Sequence, residues 1–151
     1  MTAHADATTV TAHLGSGTHV ELRARHFSWV GDEPSEVGGT DTGPTPYELL
    51  LGSLAACIGA TLRLYANHKG IPLAGVDVEL AFDRVHADDC SECDERADGW
   101  IERVQTAVTI HGAFNAAQKA RLEQVTSRCP VHKTLANGVT VIDTVTFVER
   151  G

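Results

Sequence analysis

The sequence is short of positive charge. Twelve Lys and Arg stand against twenty Asp and Glu, a formal net charge of −8, which argues against nucleic acid and anionic membranes as partners. It has no internal repeat and no low-complexity tract, so a repeat array is not in question. No apolar N-terminal run follows a basic region, so no signal peptide is expected. The most apolar stretch, residues 49–59, is shorter and more interrupted than the run of about 20 residues that a membrane span needs. The eight histidines form no metal-spaced pair, and the single Cys-x-x-Cys has no second copy to complete a four-ligand site.

What remains is ordinary for a soluble globular protein. A length of 151 residues, 42% hydrophobic and 21% charged, suits one domain with a real core. Residues 1–8 read as a loose tail and 9–151 as the domain. Four cysteines without a signal peptide point to the reducing cytoplasm, where cysteines more often do chemistry than staple a fold.

The chain is organised around residues 43–68, which read as one long helix. Thr45 suits the N-cap and Pro46 the first helical position, where a missing N–H costs nothing. Glu48, three residues after Thr45, completes a capping-box pattern, and Lys69-Gly70 supplies a basic last turn and a glycine stop. Residues 49–59 are apolar or small almost all round, which predicts burial on every side. Gly52, Ala55, Ala56 and Gly59 would let a second helix approach closely.

Around this helix the pattern is β-β-β-α-β-β-α-α-β, an α+β domain. Residues 9–14 and 18–24 flank Gly15-Ser16-Gly17 as a hairpin, with a third strand over 25–30. Val76, Val78, Leu80 and Phe82 alternate with Asp77, Glu79, Ala81 and Asp83, and Val104, Thr106, Val108 and Ile110 repeat the period after an acidic loop over 87–99. Asn115 caps a second helix running to about Ser127, and Cys129-Pro130 opens a short third. Val139, Val141, Val145 and Phe147 read as a last strand. Antiparallel sheets need one face covered, and the long helix is the cover.

Two cysteines are placed to do chemistry. Cys57 lies mid-helix, where the ordinary role is that of a small buried hydrophobe. Cys129 stands at a helix N-cap, where exposed N–H groups and the helix dipole favour a thiolate, and Arg128 and His132 could add positive charge. On this local evidence Cys129 should be the more acidic. Cys90 and Cys93 lie among Asp88, Asp89, Glu92, Asp94 and Glu95, with only His86 nearby as a third ligand. Two incidental cysteines in an exposed loop are the default there, with a metal or redox dithiol as the minority reading, since carboxylates raise a thiol pKa. Tyr47, Tyr65, Trp29 and Trp100 read as core or interface residues.

The segment Gly43-Pro44-Thr45-Pro46-Tyr47-Glu48-Leu49-Leu50 through Ala55-Ala56-Cys57, followed by Arg128-Cys129-Pro130-Val131, resembles the OsmC/Ohr family of thiol-dependent hydroperoxide reductases. The order of elements is similar over about residues 9–149. The resemblance implies an intertwined homodimer with paired central helices, Cys57 as peroxidatic thiol and Cys129 as resolving thiol. It implies a small hydrophobic peroxide as substrate and an external dithiol as reductant. No metal or organic cofactor is called for, because sulfur carries the redox change.

The sequence departs from the reductases of that family at one pair. The glutamate they carry directly after the helix-opening proline is Tyr47 here, and Glu48 is turned about 100° away around the helix. No arginine occurs in residues 15–17 or 35–42, leaving Arg23, Arg25 and Arg63 as substitutes. The resemblance is therefore to the broader OsmC-like branch. If Cys57 attacks first, folding must bring a cation to it, with a partner chain as the source. The rival reading is a non-catalytic OsmC-like module holding a small hydrophobic ligand at the dimer pocket; a structural zinc-loop protein is a third.

Overall fold

The structure, a computed structural model, describes residues 7–93 and 99–150. Most of the expected N-terminal tail and the middle of the acidic loop, 94–98, lie outside the described residues. The chain divides into two compact units, Met1–Pro46 with Asn137–Gly151, and Tyr47–Ala136.

The first unit holds a three-stranded antiparallel sheet in the order β1 (Thr11–Leu14), β2 (Val20–Ala24), β3 (Phe27–Gly31). Its centre is a charge. Asp32, at 2% exposure, accepts hydrogen bonds from the hydroxyls of Thr18 (2.6 Å), Thr40 and Thr42 (2.6 Å) and from the N–H groups of Glu33 (2.7 Å) and Thr42 (3.1 Å). A buried carboxylate persists only when its oxygens are satisfied in this way. The three hydroxyls hold its pKa well below the usual carboxylate range, against the effect of burial. The same residue's N–H donates to the Pro44 carbonyl at 3.0 Å. The loop is drawn in so closely that a Cβ on Gly39 would lie 1.8 Å from the Glu33 carbonyl oxygen, so only glycine fits.

The second unit is built on α1 (Pro46–Lys69) and a long antiparallel ribbon, β4 (Leu73–His86) with β5 (Trp100–Gly112). α1 begins at Pro46 as predicted. It ends on Gly70 at φ +66°, with the Ile71 N–H reaching back to the Ala66 carbonyl at 2.9 Å, a Schellman stop. Val76, Val78, Leu80 and Phe82 face Ile110, Val108, Thr106 and Val104 across the ribbon, on the side turned to the core. α2 (Ala116–Thr126) carries the predicted cap as a full capping box, Asn115 with Gln118, and adds Leu122 and Val125 to the core. α3 (Pro130–Asn137) follows.

Three expectations fail. The burial of α1 is confined to one stripe, Leu54, Ile58, Leu62 and Ala66, while Leu50 and Leu64 are exposed. Four-residue spacing brings one face of a helix to one neighbour. A second apolar face needs a second neighbour, which a single chain does not supply. At 24 residues α1 is also long and apolar enough to cross a membrane by length and composition, contrary to the shorter run counted in sequence, although its stripe is packed into this core. The final strand is absent as well. Residues 138–150 hold no regular secondary structure, and Val139, Val141, Val145 and Phe147 are exposed. Their alternation suits a strand, but a strand exists only beside a neighbour that takes its N–H and C=O groups, and none of the described strands pairs with them.

The Asp32 hub sets a pH dependence. Its folded pKa is depressed, so its contribution is complete above the unfolded value of about 3.9 and is lost progressively as pH falls below it. Thermal melts of wild type and Asp32→Asn are expected to differ by a constant amount from pH 7 to 5 and by progressively less as pH falls from 4 to 2. A constant gap from pH 4 to 2 would show that the charge is not what the threonines stabilise.

Candidate functional site

α1 seats its stripe on the ribbon and leaves Cys57, beside Ile58, half-buried at the edge of the core. One turn on, Thr61 places its hydroxyl 4.0 Å from the Cys57 sulfur. From the other direction α2 ends at Thr126, the Arg128 N–H bonds back to the Val125 carbonyl at 2.9 Å, and the chain turns to bury Cys129 completely. Pro130 then starts α3, for the reason the sequence gives: its missing N–H is not needed there. Cys129 is the N-cap. Its carbonyl accepts from the Lys133 N–H at 3.1 Å and its sulfur accepts from the His132 N–H at 3.3 Å.

These two turns bring Cys57 and Cys129 into hydrogen-bonding contact, both as free thiols. Burial opposes ionisation at Cys57. The Cys129 thiol, the Val131 N–H at the start of α3 and the Thr61 hydroxyl all donate to it, and together hold its pKa below the ordinary thiol value. Cys129 moves the opposite way. Burial and its role as donor to Cys57 push it up, only partly offset by the His132 and Val131 N–H groups.

The acidity order is thus the reverse of the one expected from local sequence. Among the described residues, no arginine, lysine or histidine side chain figures among the groups acting on Cys57. Arg63, a candidate substitute, is engaged elsewhere: it donates to the Leu73 carbonyl at 2.6 Å and the Ala74 carbonyl at 3.3 Å, tying α1 to β4. In the first unit, Arg23 pairs with Glu21 at 3.7 Å and Arg25 lies over the Phe27 ring. Tyr47, at the position of the family's glutamate, stacks on Phe82 with ring centroids 4.6 Å apart.

A cavity of about 250 Å³ is lined by Leu54 from α1, Glu102, Val104 and Thr106 from β5, and His132, Leu135 and Ala136 from α3. Leu54 lies one helical turn before Cys57 and His132 one turn after Cys129, and neither sulfur is in the cavity's wall. Glu102 is held by Arg84 at 2.7 Å. Sequence reading missed Thr61, whose i+4 spacing from Cys57 was a usable signal. It also missed the Val131 N–H, which no local pattern could aim at another helix.

Residues 39–142 match the family model described as OsmC-like protein. The chain belongs to the OsmC-like family. Solved structures agree on the fold. An OsmC-like protein of Mycoplasma pneumoniae is 24% identical, with a TM-score of 0.67, covering 88% of this chain and 89% of that one. An organic hydroperoxide resistance protein, OsmC, of Legionella pneumophila is 22% identical with a TM-score of 0.60, covering 88% and 91%. An organic hydroperoxide resistance protein of Elizabethkingia anophelis is 16% identical with a TM-score of 0.57, covering 86% and 89%. No curated protein matches the sequence significantly. This OsmC-like chain therefore has the mixed α+β fold expected of it, with the exceptions at its C-terminal segment and outer α1 face. Among the described residues, no group of three His, Cys, Asp or Glu is placed to hold a metal.

The sulfur pair is open to a direct titration. In wild type, the pH dependence of Cys57 alkylation is expected to give a pKa below the free-thiol value of about 8.5, and Cys129→Ala, which removes a donor, is expected to raise it. Preferential labelling of Cys129 at pH 7 would overturn this order.

Proposed function

We propose that this protein is a thiol-dependent peroxidase that reduces small hydrophobic or hydrogen peroxides through Cys57 and Cys129. The observation that carries the reading is the contact between a thiol whose ionisation is favoured and a buried thiol that donates to it. The Cys57 thiolate attacks the O–O bond, giving a sulfenic acid and an alkoxide that takes up a proton to leave as the alcohol. Cys129 then condenses with the sulfenic acid, releasing water and closing a disulfide, and an external dithiol restores both thiols. The relatives named for hydroperoxide resistance support the class of substrate.

Stoichiometric cumene hydroperoxide is expected to produce a Cys57–Cys129 disulfide in wild type, and Cys57→Ser is expected to consume no peroxide. Free thiols at both positions after treatment would defeat the proposal. That outcome would favour a non-catalytic module holding a small apolar ligand, a reading supported by the lack of any cation among the groups acting on Cys57.

The active form in this proposal is a homodimer in the cytoplasm. The unburied apolar face of α1 and the exposed residues of the C-terminal segment support it, since together they leave more apolar side chains in water than a monomer normally tolerates. Within one chain, nothing lies within 4 Å of a Cβ built on Gly52 or Gly59. Gly52→Leu is therefore expected to leave the single-chain fold intact while costing about 1–3 kcal/mol at a helix-to-helix contact. Light scattering at micromolar concentration is expected to give twice the chain mass for wild type and a shift toward the chain mass for the variant. A wild type at the chain mass would rule the dimer out.

A further inference from the structure

Lys69, Arg121 and Arg128 have no part in the chemistry above, yet they meet around one cavity. Its volume is about 520 Å³, within the range of roughly 300–1,000 Å³ typical of small-molecule sites. Its walls belong to the larger unit alone: the last two turns of α1 with the Ile71 that follows, and the first turns of α2. Arg128 joins them from just past the end of α2, where its N–H is tied back to the Val125 carbonyl at 2.9 Å. Among the described residues, no Asp or Glu lines the cavity.

The chain has twenty acidic residues for twelve Lys and Arg, so composition does not force a cation to go unanswered. On the ribbon Arg84 pairs with Glu102 and Arg103 with Asp83, each at 2.7 Å. Among the described residues, Lys69, Arg121 and Arg128 have neither an ion pair nor a side-chain hydrogen bond. Lys69 and Arg128 stand near helix C-termini, where the dipole favours a cation. Arg121 is mid-helix and has no such reason. Arg128, expected from the sequence to favour a thiolate at Cys129, is not among the groups acting on that sulfur. It lines this cavity instead. Three like charges around one space are unfavourable until an anion joins them. The acidic background opposes such an anion only weakly, since exposed charges beyond about 8 Å are screened at physiological salt.

The other groups in the wall define the rest of the ligand. Tyr65 and Ile71 are half-buried and offer an apolar surface. The capping box uses the N–H groups of Asn115 and Gln118 and leaves that of Ala117, also in the wall, to add a donor to the three cations.

We propose that this cavity binds a small organic phosphate, a dianionic ester whose oxygens are held by Arg121, Arg128 and Lys69 and whose apolar group lies on Tyr65 and Ile71. An arginine fork takes two phosphate oxygens at once, and a lysine adds a point charge. A monocarboxylate carries too little charge for three cations. The site is separate from the thiol pair. Tyr65 lies two turns beyond Cys57, roughly 12 Å along α1, and neither sulfur is in the wall. The inference therefore does not rest on the peroxidase reading.

Phenyl phosphate is the probe, titrated calorimetrically into the reduced whole chain at low salt. Saturable binding to a single site per chain is expected. Inorganic phosphate, which lacks the apolar group, is expected to bind about tenfold more weakly. Arg121→Gln/Arg128→Gln removes two charged donors and is expected to weaken phenyl phosphate by at least about thirtyfold. Both side chains are exposed and unpaired, so the fold does not depend on them. Lys119→Gln, on α2 but outside this cavity, is expected to bind as wild type does. No saturable binding of phenyl phosphate would overturn the proposal. Equal affinities for phenyl phosphate and inorganic phosphate would overturn the assignment to an organic ester. Equal losses in Arg121→Gln/Arg128→Gln and Lys119→Gln would overturn the site itself, since the anion would then be drawn by charge anywhere on α2.

Discussion

Leu54, Ile58, Leu62 and Ala66 recur every four residues along α1, and their burial against the β4–β5 ribbon is the contact on which the larger unit depends. It fixes the rotation of α1 about its own axis. Cys57 precedes Ile58 by one residue, so the same rotation leaves its sulfur at the margin of the core, covered but reachable. Leu122 and Val125 of α2 join the same cluster, and they carry the turn that delivers Cys129. The thiol pair is a by-product of core packing in the literal sense: remove the stripe and neither sulfur has a defined neighbour.

The two acidities cannot be separated. One thiol donates to the other, and one peptide N–H, that of Val131, acts on both sulfurs. Whatever stabilises negative charge on Cys57 does so partly by keeping the proton on Cys129. This is why burial, which penalises a thiolate at either site, does not decide the order. The number and direction of donors decide it.

Much of the architecture was legible in the sequence because it is written locally. Pro46 and Gly70 bound α1, strict alternation marks β4 and β5, and Asn115 caps α2. Cys129-Pro130 shows that a cysteine opens a helix. What was not legible depends on partners distant in the chain. Cys57 looked apolar because its donors, Cys129 and Val131, belong to another helix. Nothing beside Asp32 in the chain marks it as a hub, because Thr18, Thr40 and Thr42, which surround it, lie 14, 8 and 10 residues away. The strand expected around Val141 and Phe147 has the right alternation but no ladder to join, and the apolar outer face of α1 announces burial without saying by what.

In the proposed chemistry the sulfur of Cys129 is a redox atom, and it is also the acceptor that closes the first turn of α3. Bonded to Cys57 it would be a weaker acceptor, drawn toward α1, and the His132 amide would lose its partner. Oxidation would then fray a helix as well as consume a thiol. The lining of the cavity, which includes His132, Leu135 and Ala136, would loosen in the same event. A molecule built in this way would report its own chemical history through the hydrogen exchange of a single amide, and its doorway would differ before and after each turnover.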